Sequence, residues 1–123
     1  MTAATKSTAQ KGREGEEKAV SYLESKGYTI QDRNFRIRGG EIDIIATKDD
    51  ILVFVEVKSL PNGNTEILSH ELNFRKQQKI IETAKFYLEK YRQYNSRVIR
   101  FDVIAIDVPG LEPVHHIVNA FSE

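Results

Sequence analysis

Asp43, Glu56 and Lys58 carry charge inside two runs that otherwise read as core strands, "EIDIIAT" and "ILVFVEVKS". If these runs form a hairpin turning at Asp49-Asp50, paired positions have numbers that sum to 99. Asp43 then stands opposite Glu56, and Glu41 opposite Lys58. Strand alternation places all four on one face. The other face would hold Ile42, Ile44, Ala46, Val53, Val55 and Val57. A one-residue slip would exchange the faces, so the register is well specified. Opposed side chains on paired strands have Cβ atoms about 4.5–5.5 Å apart, and like charges there repel. Asp43 against Glu56 therefore needs a cation between them. Mg²⁺ is a hard ion that takes one or two carboxylates and keeps several waters. Lys58 could orient or deprotonate a metal-bound water, or meet charge developing on a phosphate. The competing reading is a solvent-facing hairpin side with a Glu41–Lys58 ion pair, because half-exposed antiparallel faces are common.

Glu16 adds a third carboxylate. With Ala19, Val20 and Leu23 it stands at i, i+3, i+4 and i+7, so it continues a helix's buried stripe. Gly12 and Gly15 flank it and allow close approach. The bland alternative is a first-turn carboxylate that favours the helix macrodipole.

The elements that would position these groups follow from periodicity. A helix is expected over residues 12–26, stopped by Gly27. A first strand, "YTIQDRNFRIRGG", ends at Gly39-Gly40, and the two charged runs are the second and third. "LPNGNTEILSHEL" reads as a loop. A long helix follows over 74–94, with Asn73 as N-cap. "RVIRFDVIAIDV" and "PVHHIVNAF" are the last two strands. His115 and His116 are adjacent, so they point to opposite strand faces and read as structural. Asp102 reads as a sheet support or a partner of Arg100. Tyr87, Tyr91 and Tyr94 could stack on bases, although their spacing suits helix packing first.

Composition narrows the classes. At 123 residues the chain fits one domain, taken as 11–123, behind a disordered lead-in over 1–10. There is no cysteine, which excludes disulfides and thiolate metal sites and suits a reducing, cytoplasmic setting. No apolar run is long enough for a membrane helix, and no secretory signal appears. Net charge is zero, which argues against a globally basic nucleic-acid binder. Charge is nonetheless clustered: eight basic residues between Arg75 and Arg100 face only Glu82 and Glu89, and Arg33, Arg36 and Arg38 form a second group. Such local fields attract phosphates even on a neutral protein; a solvated helix face is the alternative.

Asp43, then Glu56-x-Lys58 after 12 intervening residues, resembles the PD-(D/E)xK signature of the restriction-endonuclease-like superfamily. Glu16 resembles the helix glutamate of archaeal Holliday-junction resolvases. More closely, the chain resembles the YraN-like family of small bacterial proteins. The blocks "GREGEEKAVSYLESKGY", "RNFRIRGGEIDIIA", "LVFVEVKS", "RKQQKI", "RFDVIAI" and "HHIVNAF" carry that likeness from residue 12 to 121. The resemblance implies an α/β (α+β) fold with a mixed central sheet flanked by helices, in the order α-β-β-β-α-β-β. It implies Glu16, Asp43 and Glu56 as metal carboxylates, with Lys58 completing the catalytic set. The chain departs from the family pattern in two places. Asp49 replaces the usual turn glycine, and tolerates left-handed backbone better than most residues. Ser59-Leu60 replaces Thr-Arg and removes a basic residue beside the site.

The expected function is metal-dependent hydrolysis of DNA phosphodiester bonds, on branched or structured DNA by analogy to the resolvases. Mg²⁺ would be the cofactor, with Mn²⁺ as a substitute and the Val57 carbonyl as a further ligand. Arg38, Arg75, Lys76 and Lys79 would contact nucleic acid, and Lys76 and Gln77 would reach the site rim. A homodimer would suit a resolvase; neither a membrane nor an organic cofactor is implied. The alternative is a nucleic-acid-binding or protein-interaction module that kept the fold without turnover.

Overall fold

The run Ile51–Val57 is apolar at every position except Glu56, a pattern that suits a strand covered on both faces. A computed structural model, which describes residues 8–123, places it at the centre of a five-stranded sheet. The elements are α1 (Thr8–Ser25), β1 (Thr29–Ile37), β2 (Gly40–Lys48), β3 (Ile51–Ser59), α2 (Thr65–Glu71), α3 (Phe74–Lys90), a 3₁₀ turn (Arg92–Tyr94), β4 (Val98–Ile106) and β5 (Val114–Phe121). The sheet order is β1-β2-β3-β4-β5; β3 and β4 are parallel, and the other pairs are antiparallel. This is the expected mixed α+β architecture with one more helix, in the order α-β-β-β-α-α-β-β. Helix α1 starts four residues before Gly12, and the expected lead-in lies, for residues 1–7, outside the described residues.

One helix covers each face. Ala19 and Leu23 of α1 pack on Ile44, Ala46, Val53, Val55, Ile104 and Ile106. On the other side Ile80, Ile81, Ala84 and Tyr87 of α3 pack on Ile42, Ile45, Leu52, Phe54 and Phe101. Each large side chain buried in this way contributes about 1.5–3 kcal/mol. Tyr87 meets Phe35 and Phe54 edge-on, and Tyr91 and Tyr94 lie against it, so the three tyrosines serve packing. Asn73 caps α3 through the Lys76 amide.

The β2–β3 register is the expected one: Ile44 faces Val55 and Lys48 faces Ile51, with Asp49 left-handed at φ 54° in the turn. The faces, however, differ from expectation. Ile42 packs under α3 while Ile44 packs under α1, so alternation breaks between them. The neighbouring strand breaks at the same level: Arg33 pairs with Ile44 and Phe35 with Ile42, and Asn34 between them is left-handed at φ 53°. A further bulge at Gln31 lies in edge strand β1, and another surrounds Asn119 (φ 53°) in edge strand β5. The segment read as a loop contains α2, capped by Asn64 onto the Ile67 amide and anchored by the buried Leu68.

Candidate active site

Beyond Ile44–Val55 the β2–β3 ladder gives way to a side chain: Asp43 Oδ2 accepts the Val57 N–H at 2.8 Å. The acidic groups therefore occupy a seam between parting strands rather than one flat face. Asp43 lines a cleft of about 600 Å³ against α1, shared with Gly12, Glu16, Arg33, Arg36, Glu41, Val57 and Ser59. Glu56, 6% exposed, follows Phe54 by two residues on the α3 side and feels the charge of Lys76. The expected Glu41–Lys58 pair does not form. Glu41 binds Arg36 at 3.1 Å; Lys58 Nζ lies 3.0 Å from Glu71 of α2 and 3.9 Å from Glu56.

Glu16 reaches the cleft because α1 comes very near β3. A Cβ on Gly15 would lie 3.1 Å from the Ser59 Cβ, so glycine sets this approach; Gly12 has no such neighbour. The Glu16 side chain is only 13% exposed, as the stripe predicts. Its Oε1 accepts from Asn34 Nδ2 at 2.9 Å and lies 3.4 Å from Arg33, which also pairs with Glu17 at 2.6 Å. Asn34 is thus a functional candidate that sequence reasoning missed, while Arg33, read there as one of a basic group, gains Glu16 and Glu17 as specific partners. Glu71 is another missed candidate.

The seam is electrostatically unfavourable as it stands. Burial pushes Asp43 up to about 6 against the opposing Val57 hydrogen bond, and Glu16 and Glu41 raise it further. Burial and then the Asp43 charge push Glu56 up to about 7, with Lys76 and Lys58 acting in the other direction. Asp102 is the internal contrast. It is fully buried, yet its burial is outweighed by hydrogen bonds, and its carboxyl lies below the ordinary range. It accepts two bonds from Arg100 at 2.8 Å, one from His116 Nε2 at 2.7 Å and one from the Asn119 amide at 2.9 Å. His116 Nδ1 in turn meets Tyr22 Oη at 3.2 Å, tying β5 to α1. Asp102 and His116 thus link β4, β5 and α1, while His115 meets Glu112 instead.

Of the basic candidates, Lys76 and Lys79 line a second cleft with Arg36, Gly40 and Glu41, beside the first. Arg38 lies exposed in the β1–β2 turn and Arg75 exposed on α3, and neither borders these two clefts. Gln77 turns back to donate to the Leu72 carbonyl at 2.8 Å. Among the described residues no three His, Cys, Asp or Glu side chains are grouped to hold a metal ion. Glu16, paired with Arg33 and Asn34, does not join Asp43 and Glu56 in such a group. No described helix is long and apolar enough to cross a membrane.

Fold and seam together define a small α+β protein with a half-buried Asp43 and a buried Glu56 that repel each other at the end of a hairpin. The chain belongs to the family described as "Uncharacterised protein family UPF0102", whose profile matches residues 15–106. This is the YraN-like family that the sequence blocks resemble. The chain is 46% identical over 111 residues to a UPF0102 protein of Persephonella marina, covering 90% of this chain and 92% of that protein. It is 45% identical over 113 residues to one from Clostridioides difficile, covering 91% and 96%. A relative from Treponema pallidum is 48% identical over 92 residues, covering 75% and 73%.

Proposed function

We propose that this protein is a divalent-metal-dependent nuclease of the PD-(D/E)xK type, acting on DNA phosphodiester bonds. The observation that carries the reading is the Asp43–Glu56 seam: a half-buried and a buried carboxylate, both raised, where among the described residues the ion-pair partner of Glu56 is Lys58, no closer than 3.9 Å. Perturbed acids gathered beside an open cleft mark functional sites more often than structural ones. The donor set is all hard oxygen, which suits Mg²⁺ or Mn²⁺ and not a softer metal. Asp43 and Glu56 would hold the ion, with Glu16 facing the same cleft. A bound Mg²⁺ would polarise a phosphoryl oxygen and lower the pKa of a coordinated water. Lys58 supplies a positive charge for the anionic phosphate, and its ammonium is aimed by Glu71 and Glu56. Arg33 and Arg36 border the cleft and can draw phosphate oxygens into it.

The test is cleavage of junction, flap and plasmid DNA with Mg²⁺. Asp43→Asn and Lys58→Ala should each lower the rate by about 10²–10³. The pairing of Lys58 with Glu71 and the lack of a three-acid group, among the described residues, favour a second reading: a DNA-binding module without turnover. DNA binding with no metal-dependent cutting on any substrate would establish that reading and end the first.

A further inference from the structure

Three clefts run in series from the seam. The first holds Asp43, the second Lys76 and Lys79, and the third, about 330 Å³, Phe35, Ile37, Phe86, Glu89 and Lys90; Arg36 borders all three. On α3, Lys76, Lys79, Phe86 and Lys90 stand at i, i+3, i+10 and i+14. At 100° per residue these four fall within about 80° of one another, in one stripe along the flank that faces the β1–β2 hairpin. Arg36 and Glu41 line both the cleft that holds Asp43 and the one that holds Lys76, so the stripe starts beside the acidic seam. Phe86 is 54% exposed although its neighbour Tyr87 is buried. A single exposed apolar side chain needs no explanation. A phenyl ring in an open cleft between cations, in line with an acid pair, is a different case.

Resting on the nuclease reading, we infer that this track carries an unpaired polynucleotide strand, with Phe86 stacking on one of its bases and Lys76 and Lys79 meeting its phosphates. Grooves for single strands combine these two elements: cations that follow the backbone and aromatic faces that take the bases. A duplex offers phosphates to the lysines but keeps its base faces stacked inside, so it would leave Phe86 unused. Glu82 and Glu89 are both exposed on the outer side of the stripe, with Glu89 at the edge of the third cleft. They confine the positive field to a narrow strip, which suits one backbone rather than two. From Lys79 to Phe86 is two helical turns, about 10.5 Å. That accommodates about three stacked nucleotides at about 3.4 Å each.

The chain has no tryptophan, so Phe86→Trp gives a fluorophore that reports on this position alone. The experiment titrates full-length protein, with EDTA present to prevent turnover, with short oligothymidylate, oligouridylate and a DNA duplex of equal length. Indole emission from the Phe86→Trp variant should be quenched by either single strand and not by the duplex, and the two arms say whether deoxyribose or ribose is preferred. Phe86→Ala should weaken single-strand binding about tenfold while leaving duplex affinity and Tm unchanged. Lys79→Ala should lower the slope of log K against log salt by about 0.7. Failure to bind single strands, saturation without quenching, or a neutral Phe86→Ala overturns the inference. Cleavage is not read here. A protein that quenches but never cuts keeps the track and loses the nuclease; one that cuts through Asp43 with Phe86 silent does the opposite.

Discussion

Asp43 and Glu56 lose more by leaving water than their partners return, whereas the hydrogen bonds to Asp102 more than offset its burial. The sign of the pH dependence follows. A carboxyl raised from 3.8 to about 6, beside one raised from 4.5 to about 7, binds more protons folded than unfolded between those limits. The pair's contribution to stability is therefore full below about pH 4 and is lost as pH rises to about 7. Asp43→Asn keeps an oxygen for the Val57 N–H and removes one charge. In the metal-free protein it should add about 1–3 kcal/mol at pH 8 and little at pH 4.5, by urea unfolding. A loss at pH 8 would mean that the Asp43 charge is stabilised after all. Strand patterning alone exposes this pair, since charge in an otherwise apolar run is an anomaly. Arg33 shows in the sequence only as one of a basic group, and nothing there marks Asn34 or Glu71, which reach their partners through a left-handed kink and an added helix.

Helix α3 can lie close to the hairpin because Gly40 has no side chain: a Cβ there would fall 2.0 Å from Thr83 Oγ1. Thr83 cannot easily yield. It is fully buried, β-branched, and bonded to the Lys79 carbonyl at 2.7 Å. Gly40→Ala should therefore cost about 1–3 kcal/mol, read as a lower urea midpoint at unchanged m. An unchanged midpoint would show that α3 shifts freely. Elements with strong periodicity, α1, α3 and the strands, were legible from sequence. Helix α2 was not, because it is two turns long, buries only Leu68, and follows turn residues Pro61, Asn62 and Gly63. The Ile42 error has a comparable cause: strict alternation does not foresee a kink shared by two strands, which turns Ile42 and Phe35 toward α3.

At the scale of the whole molecule, an ion that binds only the folded seam should stabilise the entire chain. At about a hundredfold excess over Kd the gain is about 2.7 kcal/mol. Because both raised acids must release protons first, Mn²⁺ should raise Tm more at pH 8 than at pH 6, with proton release measurable by calorimetry in buffers of different ionisation enthalpy. Asp43→Asn should abolish the shift; an equal shift in that variant would place the ion elsewhere. The outermost strands bear on assembly. Each is wrinkled, near Gln31 on one border and Asn119 on the other. Such borders offer no straight run of amides for a neighbour to zip onto, so stacking copies into one continuous ribbon is disfavoured. A two-fold pair would have to grip through helices or loops, leaving the rims of both sheets bare.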